Sequence, residues 1–323
     1  MRAIAITKFG GPDVLQVVER PLPEPSRGEV RVRIHATAVN RADLLQRMGF
    51  YPAPADAPPD IPGLEIAGEV DAVGPGVERL KLGDRVFGLV GGGGYAEAMT
   101  SHERALALIP AGMSYEDAAA VPEAFITAYD AMVTQAHLRG GETVLVHAAG
   151  SGVGTAAIQL GHALGAYVVA TARTKDKLDR AKALGLDAGV VAADNRFADG
   201  VRAASEPQVV LELVGGAYLD EDLRCTRPLG RIVLVGMMAG SKQELDLALL
   251  LRKRIHIMGT MLRARPLEEK IAAVRTFETE VVPLFARGLV KPIVDAVMPL
   301  ADAGKAHARM ASNEGFGKII LRA

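Results

Sequence analysis

One stretch of the 323-residue chain decides its fold. Residues 142–160 read Glu142-Thr143-Val144-Leu145-Val146-His147-Ala148-Ala149-Gly150-Ser151-Gly152-Val153-Gly154-Thr155-Ala156-Ala157-Ile158-Gln159-Leu160. The short apolar run at its start predicts a buried strand, and the apolar residues after the glycines recur at helical spacing. In a dinucleotide-binding unit, glycines between strand and helix let the backbone approach a pyrophosphate, which the helix N-terminus attracts. The spacing Gly150-x-Gly152-x-Gly154 departs from G-x-G-x-x-G, so the turn alone also fits an ordinary strand-to-helix connection.

The next predicted strand bears on the choice of nucleotide. It runs from Gly165 to Ala172, and Arg173 follows it, about twenty residues past the glycines. At this position an NAD site carries Asp or Glu, which binds the ribose 2′-hydroxyl. This chain has Arg173 there, and Lys177 follows within the next predicted helix. Arg and Lys bind a 2′-phosphate that an acid would repel, so the sequence favours NADPH over NADH. Asp176 is the one nearby acid, and it falls inside that helix.

Composition excludes several classes of function. Hydrophobic residues make up 49% and charged residues 23%, as in ordinary globular proteins, and the net charge of −1 gives no reason to expect nucleic acid or an anionic membrane. Aromatic residues are 4% with no tryptophan, so no stacking platform for single-stranded nucleic acid is visible. The single cysteine, Cys225, excludes an intrachain disulfide and a cysteine cage for metal. No long apolar run or signal peptide is visible, and a cytoplasmic protein is expected.

The pattern of predicted elements divides the chain into two domains. Residues 1–120 and 291–323 are β-like, whereas residues 121–290 alternate strands with helices, which indicates a parallel sheet. We expect an α/β protein in which a doubly wound domain is inserted into a small barrel-like domain, with the active site in the cleft between them. A long helix is predicted over Val121–Gln135.

Several motifs along the whole chain resemble one family. They are Asn40-Arg41-Ala42-Asp43-Leu44-Leu45-Gln46-Arg47, Gly63-Leu64-Glu65-Ile66-Ala67-Gly68, Leu82-Gly83-Asp84-Arg85-Val86, Ala120-Val121-Pro122-Glu123-Ala124 and the glycine turn with its helix. The chain resembles the medium-chain dehydrogenase/reductase superfamily in its zinc-independent quinone oxidoreductase branch. Within that branch it is similar to the tumour-suppressor-inducible quinone oxidoreductase type, which is related to zeta-crystallin. The resemblance implies a GroES-like barrel, a Rossmann domain, NADPH as cofactor and quinones as hydride acceptors.

The chemistry of the residues argues against a metal. Zinc enzymes of this superfamily use a Cys, a Gly-His-Glu motif and a second Cys or Asp at the catalytic zinc. Asn40 stands at the first position, Gly63-Leu64-Glu65 lacks the His, and Gly91-Gly92-Gly93-Gly94 replaces the cysteine-rich lobe. Tetrahedral zinc needs ligands that are missing here, so none is expected. His147 lies on the buried strand and is expected to be a hydrogen-bonded core histidine.

The resemblance also implies roles for individual residues. Asn40, Asp43 and Tyr51 would line the acceptor side. The pyrophosphate would lie on the turn formed by Gly150, Ser151, Gly152, Val153 and Gly154, and its 2′-phosphate partners would be Arg173 and Lys177. The nicotinamide end would meet Thr127, Gly236, Met237, Met238, Met261 and Leu262. Relatives often carry an Asn-Tyr pair near the adenosine, and this chain has Val190-Val191-Ala192-Ala193 in that region.

Two other functions remain open at this level. One is a zinc-free reductase of enones or enoyl thioesters, and the other is a non-enzymatic nucleotide-binding protein such as a sensor or a crystallin-like protein. No Ser-His-Asp or Tyr-Lys proton relay stands out, so hydride transfer is expected to depend on positioning rather than on one obligate acid. Residues 252–260 are predicted to form an edge strand of the Rossmann sheet, through which two copies would pair as a homodimer.

Overall fold

The computed structural model describes every residue from Met1 to Ala323, and their contacts divide the chain into two compact units. Unit 1 comprises Met1–Ile126 and Leu262–Ala323, and unit 2 comprises Thr127–Met261. The inserted unit is therefore shorter than the predicted residues 121–290. The main difference lies after residue 261, where two helices belong to unit 1.

The first part of unit 1 consists mainly of strands. They are β1 (Arg2–Ile6), β2 (Leu15–Glu19), β3 (Glu29–Val39), β4 (Glu65–Val73), β5 (Arg85–Leu89), β6 (Ala98–His102) and β7 (Ala107–Leu108), with helices α1 (Arg41–Arg47) and α2 (Tyr115–Ala119). Val30, Val32 and Ile34 are buried on one face of β3, because successive side chains of a strand point to opposite faces. Short 3₁₀ turns occur at Pro12–Val14 and Glu103–Ala105, and a π-helical turn spans Pro122–Ile126.

Unit 2 is a doubly wound α/β domain. Its helices and strands are α3 (Thr127–Tyr129), a π-helical turn (Asp130–Gln135), β8 (Thr143–Val146), α4 (Gly152–Ala163), β9 (Tyr167–Ala172), α5 (Lys175–Ala181), a 3₁₀ turn (Lys182–Leu184), β10 (Ala188–Val191), α6 (Ala198–Ala204), β11 (Val209–Glu212), α7 (Tyr218–Cys225), β12 (Arg231–Leu234), α8 (Leu247–Lys253) and β13 (His256–Gly259). The six strands are all parallel in the order β10-β9-β8-β11-β12-β13. The order reverses between β8 and β11, and ligands of such sheets bind beyond the carboxyl ends of the strands at that point.

The C-terminal part of the chain returns to unit 1. It contains α9 (Leu267–Glu280), α10 (Val282–Ala286), β14 (Val294–Pro299), a 3₁₀ turn (Leu300–Asp302), α11 (Ala303–Ser312) and β15 (Lys318–Arg322). β15 pairs with β3, so the end of the chain completes the sheet begun by its start, with the order β14-β15-β3-β4-β5-β7 and β6 on β3. Phe277 of α9 and Phe285 of α10 pack edge-on against Phe87 and Phe125, which explains why these helices belong to unit 1.

Two predicted elements differ in detail from the structure. The edge strand predicted over 252–260 is shorter, because Arg252 and Lys253 end helix α8 and Arg254 adopts a left-handed φ of 51°. The long helix predicted over Val121–Gln135 is present, but two π-helical turns interrupt its α-helical course. None of the helices is both long and apolar enough to cross a membrane.

Candidate functional site

The glycine turn of unit 2 leaves backbone donors at the start of a helix. Ser151 caps α4, and its hydroxyl accepts a hydrogen bond from the Gly154 N–H at 2.9 Å. Gly152 and Val153 occupy the first two helical positions, so their N–H groups have no partner within the helix. Both residues are partly exposed. Two N–H groups and the positive end of a 12-residue helix dipole make this turn suitable for an anion such as a pyrophosphate.

Close approach of the backbone requires glycine at two positions, one at the start of α4 and one in the loop after β12. A Cβ added to Gly154 would lie 2.3 Å from the Ala148 carbonyl oxygen, and one added to Gly236 would lie 2.3 Å from the Leu213 carbonyl oxygen. Gly150 is buried in the turn itself. Without these side chains, the helix and the loop after β12 pack directly on backbone, which fixes the shape of the surface that a dinucleotide would meet.

The end of β9 carries a positive charge instead of an acid. Arg173 immediately follows the strand and is exposed, and its side chain makes no hydrogen bond or ion pair within the chain. Lys177 lies in the first turn of α5 and is partly exposed. Asp176, between them in sequence, is exposed on that turn. The pair therefore offers guanidinium and ammonium donors at the position where a ribose 2′-substituent is read.

The loops beyond β12 and β13 expose methionines. Met237 is 61% exposed, Met238 50% and Met261 50%, which is unusual for a residue that normally fills cores. The first two directly follow Gly236. Thr127 is 6% exposed at the start of α3, and Leu262 is 6% exposed at the point where the chain re-enters unit 1. The exposed thioethers are an apolar surface to which a planar ring can bind.

A buried polar cluster lies at the ends of the central strands of unit 2, and the sequence did not single it out. His147 Nε2 lies 2.8 Å from Asp222 Oδ1, and His147 Nδ1 lies 2.7 Å from the Thr171 hydroxyl. Glu212 accepts hydrogen bonds from the N–H groups of Val214 and Gly215, the turn that follows β11. His147 is thus the hydrogen-bonded core histidine that its place on the strand predicted. Burial lowers the pKa of His147 and raises the pKa of Glu212 to about 8 and that of Asp222 to about 7.

In unit 1, Asn40 and Asp43 form a capping box at the start of α1. The Asp43 carboxylate accepts hydrogen bonds from the backbone N–H of Asn40 at 2.7 Å and of Gly63 at 2.9 Å. Asp43 has no exposed surface, and burial raises its pKa to about 6. The Asn40 amide donates to Glu65 at 2.8 Å and accepts from Lys318 at 2.5 Å. As placed here, Asp43 is enclosed and holds the loops around it, so its contribution to a site is to position them.

Tyr51 is held by an arginine that the sequence did not indicate. The Arg263 guanidinium lies 5.0 Å from the centre of the Tyr51 ring and donates to the Tyr51 carbonyl oxygen at 3.3 Å. The same group donates to the Gly91 carbonyl oxygen at 2.7 Å and to Gln46 Oε1 at 2.5 Å. Arg263 is 6% exposed, whereas Tyr51 is partly exposed. One guanidinium therefore joins helix α1, the loop that carries Tyr51 and the glycine-rich loop.

Glu123 is a second residue that the sequence reasoning quoted in a motif without assigning it a role. It lies in the π-helical turn Pro122–Ile126, a type of turn that is frequent at functional sites. Its backbone N–H donates to Glu65 Oε2 at 2.8 Å, which fixes the backbone. Its side chain is partly exposed and makes no hydrogen bond or ion pair within the chain. Burial, followed by the charge of Glu65, raises the pKa of Glu123 to about 7.

Comparison with known proteins covers both units. Residues 26–111 match the family described as alcohol dehydrogenase GroES-like domain, and residues 152–279 match the one described as zinc-binding dehydrogenase. A quinone oxidoreductase of Pseudomonas aeruginosa is 33% identical to this chain, and the aligned region covers 99% of each of the two proteins. The chain belongs to the medium-chain dehydrogenase/reductase superfamily, in its quinone oxidoreductase branch.

Two further relatives of the superfamily bear on the site. The crystal structure of Escherichia coli quinone oxidoreductase complexed with NADPH has a TM-score of 0.89 at 29% identity, covering 100% of both chains. A spectinabilin polyketide synthase system protein of Streptomyces orinoci is 36% identical over 98% of this chain, which spans 14% of that protein. The fold therefore occurs both in free-standing reductases of quinones and within polyketide synthase proteins.

Asn40, which stands where the first ligand of the zinc enzymes is expected, contacts a buried ammonium in this chain. The Lys318 ammonium is 4% exposed and lies 2.6 Å from the Glu65 carboxylate and 2.5 Å from the amide oxygen of Asn40, the residue at the first ligand position. Leu64, at the position of the missing His, is 2% exposed. The amide oxygen of Asn40 and the carboxylate of Glu65 thus both contact an ammonium, and the expected Cys and His are replaced by Asn40 and Leu64, which does not fit a tetrahedral zinc.

Proposed function

We propose that this protein is an NADPH-dependent quinone oxidoreductase that transfers hydride without zinc. The observation that carries the proposal is the pairing of a glycine turn with open helix donors and Arg173 at the end of β9. When bound, NADPH supplies a hydride. Ser151, Gly152, Val153 and Gly154 bind its pyrophosphate, and Arg173 and Lys177 bind its 2′-phosphate. The exposed Met237, Met238 and Met261 contact its nicotinamide end together with Thr127, Gly236 and Leu262.

The acceptor is bound by side chains of unit 1. Tyr51 offers a ring and a neutral phenol, since burial raises its pKa, and Arg263 holds that ring in place. Asn40 and Asp43 position the surrounding loops through their capping box. A quinone suits a site without a Lewis acid because its reduced oxygen is part of an aromatic product, so it needs little stabilisation by the protein. The Lys318 ammonium, which lies against Asn40 and Glu65, supports this assignment.

The proposal is tested by measuring NADPH oxidation with a panel of quinones, enones and enoyl thioesters. We expect turnover with quinones to exceed turnover with the other acceptors at the same concentration. The similarity to a polyketide synthase protein favours enoyl thioesters as the second candidate. Higher kcat/KM with an enoyl thioester than with every quinone would replace the first assignment by the second. Tight NADPH binding without turnover of any acceptor would indicate a non-enzymatic nucleotide-binding protein.

A homodimer is part of the same proposal. β13 is the edge strand of the unit 2 sheet and pairs on one side only, with β12. An edge strand presents unpaired backbone groups, and pairing of two copies across a twofold axis would satisfy both edges. Light scattering at micromolar concentration is expected to give twice the chain mass of 34.0 kDa, and a mass of one chain would contradict this arrangement. The expected location of the protein is the cytoplasm.

A further inference from the structure

We propose that Glu123 is the proton donor to the acceptor oxygen, a role that rests on the proposed reduction of quinones. The carboxyl group has the three properties that such a donor needs. Its backbone is fixed by the hydrogen bond to Glu65, its side chain has no partner within the chain, and part of it is exposed. It lies in the π-helical turn Pro122–Ile126, a type of turn that is frequent at functional sites.

The surroundings place Glu123 with the acceptor-side residues of unit 1. The Glu123 N–H donates to Glu65 Oε2, and Glu65 Oε1 accepts from the amide of Asn40 at 2.8 Å, so the Glu65 carboxylate links Glu123 to the acceptor-side residue Asn40. Tyr51 and Asp43 are each already held, the first by Arg263 and the second by two backbone N–H groups and Tyr95. Among these acidic groups, Glu123 is the one with an unengaged side chain.

The protonation state of Glu123 agrees with this role. Burial and the neighbouring Glu65 and Asp43 disfavour its ionised form, whereas Lys318 and Arg263 favour it, and the balance raises its pKa to about 7. A general acid works best when its pKa lies near the working pH, because the proton is then both present and transferable. An ordinary exposed Glu, with a pKa of about 4.3, would be almost fully ionised at neutral pH.

The transfer balances as follows. The quinone gains a hydride from the nicotinamide cofactor, which is thereby oxidised, and becomes a quinol monoanion. The O–H bond of the Glu123 carboxyl group then breaks, and its proton bonds to the anionic oxygen to give the neutral quinol. The electron pair of the broken bond stays on the Glu123 carboxylate. A proton from water restores the acid before the next turnover.

The test compares Glu123→Gln with a matched control, Glu280→Gln, which makes the same change on an exposed residue of α9. We expect kcat/KM of the wild-type protein for a quinone to fall as the pH rises above about 7, because the donor loses its proton. Glu123→Gln is expected to lower that value about a hundredfold at neutral pH and to remove this pH dependence. Glu280→Gln is expected to change neither.

Two readouts other than turnover complete the test. NADPH affinity and the circular dichroism spectrum of Glu123→Gln should match the wild type, since the replaced side chain has no hydrogen bond to lose. Carbon-13 NMR of labelled glutamate carboxyl groups should show one resonance that titrates near neutral pH in the wild type and in Glu280→Gln, and is absent from Glu123→Gln. Glu123→Ala should regain part of its lost rate when acetic acid is added.

The outcomes separate this assignment from the proposed function. If the wild type reduces quinones and Glu123→Gln retains the same rate and pH profile, Glu123 is not the donor and the quinone reductase assignment stands. A Glu123 resonance that titrates in the ordinary carboxyl range overturns the donor role as well. If the wild type reduces no quinone at any pH, both the function and this role are refuted.

Discussion

The Arg263 guanidinium lies 5.0 Å from the centre of the Tyr51 ring while it donates to the carbonyl oxygen of the same residue. The contact therefore fixes both the backbone and the ring of a residue whose loop is rich in proline. A buried arginine with three acceptors but no carboxylate hydrogen-bonded to it is costly to keep, since its charge is only partly compensated. Its position next to Tyr51 supports a role in shaping the acceptor site.

The first prediction concerns Tyr51. Tyr51→Phe keeps the ring over Arg263 and removes only the phenol, so kcat/KM for a quinone should fall modestly, by about tenfold to a hundredfold. Asp43→Asn should have an effect of the same size, because it weakens the capping box but leaves one side-chain oxygen that can still accept a hydrogen bond. Steady-state kinetics with one quinone measures both. Complete loss of turnover in Tyr51→Phe with unchanged NADPH affinity would identify the phenol as the dedicated acid and would contradict the assignment of that role to Glu123.

The second prediction concerns Arg173 and the preference for NADPH over NADH. The wild-type protein should bind NADPH more tightly than NADH, and Arg173→Ala should narrow the ratio of the two Kd values by about tenfold to a hundredfold, because a charge-assisted hydrogen bond to the 2′-phosphate is lost. Fluorescence titration measures all four values. The affinity for NADH should stay constant between the two proteins, which serves as the internal control. Equal affinities for the two nucleotides in the wild type would rule out the assigned phosphate site.

Disruption of the glycine turn should be far more severe. Gly152→Val adds a branched side chain at the first position of α4, where the pyrophosphate would meet backbone, so NADPH binding itself should fail. The control is Ala163→Val, which adds the same branched side chain at the far end of α4. Isothermal titration and circular dichroism distinguish lost binding from lost folding. Wild-type affinity in a folded Gly152→Val protein would show that the nucleotide lies elsewhere.

The metal content provides the fourth prediction. Since the Lys318 ammonium lies against Asn40 and Glu65, we expect the purified protein to contain no stoichiometric zinc and EDTA to leave quinone reduction intact. Elemental analysis before and after chelation measures this directly. One zinc ion per chain whose removal also removes activity would overturn the zinc-free assignment.

The fifth prediction concerns the pH dependence of stability. Burial raises the pKa of Glu212 to about 8 and that of Asp222 to about 7, whereas unfolded carboxyl groups titrate at about 4. Between those values the folded state holds protons that the unfolded state releases, so the free energy of unfolding falls with rising pH. The slope is at most about 1.4 kcal/mol per pH unit for each group. Asp43 and Glu123, whose pKa values are also raised, act in the same direction.

His147 opposes this trend only at lower pH. Its lowered pKa keeps the folded ring neutral, so stability rises with pH until the unfolded ring is also neutral, near a pH of about 6.5. Urea unfolding of the wild type should therefore show declining stability from pH 6.5 to about 8. Glu212→Gln should have a shallower slope, and the exposed Glu280→Gln should keep the wild-type slope. A wild-type protein whose stability does not change over this interval would contradict the raised pKa values.

Local features of the fold were predictable from the sequence. The strand β3 over Glu29–Val39, the N-cap Asn40 and the strand–turn–helix around Gly152 all depend on residues a few positions apart, and the structure contains each of them. The short strands β6 and β7 cannot be recognised from the sequence pattern, because they are five and two residues long and carry no clear alternation. Residues 262–290 were assigned to the inserted domain because helices recur there, although their aromatic side chains pack on unit 1.

The sequence by itself determined the family, the two-part architecture and the residues of the glycine turn, because these depend on short-range patterns of glycine, charge and apolar spacing. Only the tertiary structure placed Arg263 on Tyr51, which is 212 residues away, and Lys318 on Asn40, which is 278 residues away. It also showed that Asp43 is enclosed and that the Glu123 side chain is unengaged. Burial and electrostatic environment depend on which distant segments pack together, and it is these that set the pKa of a carboxyl group.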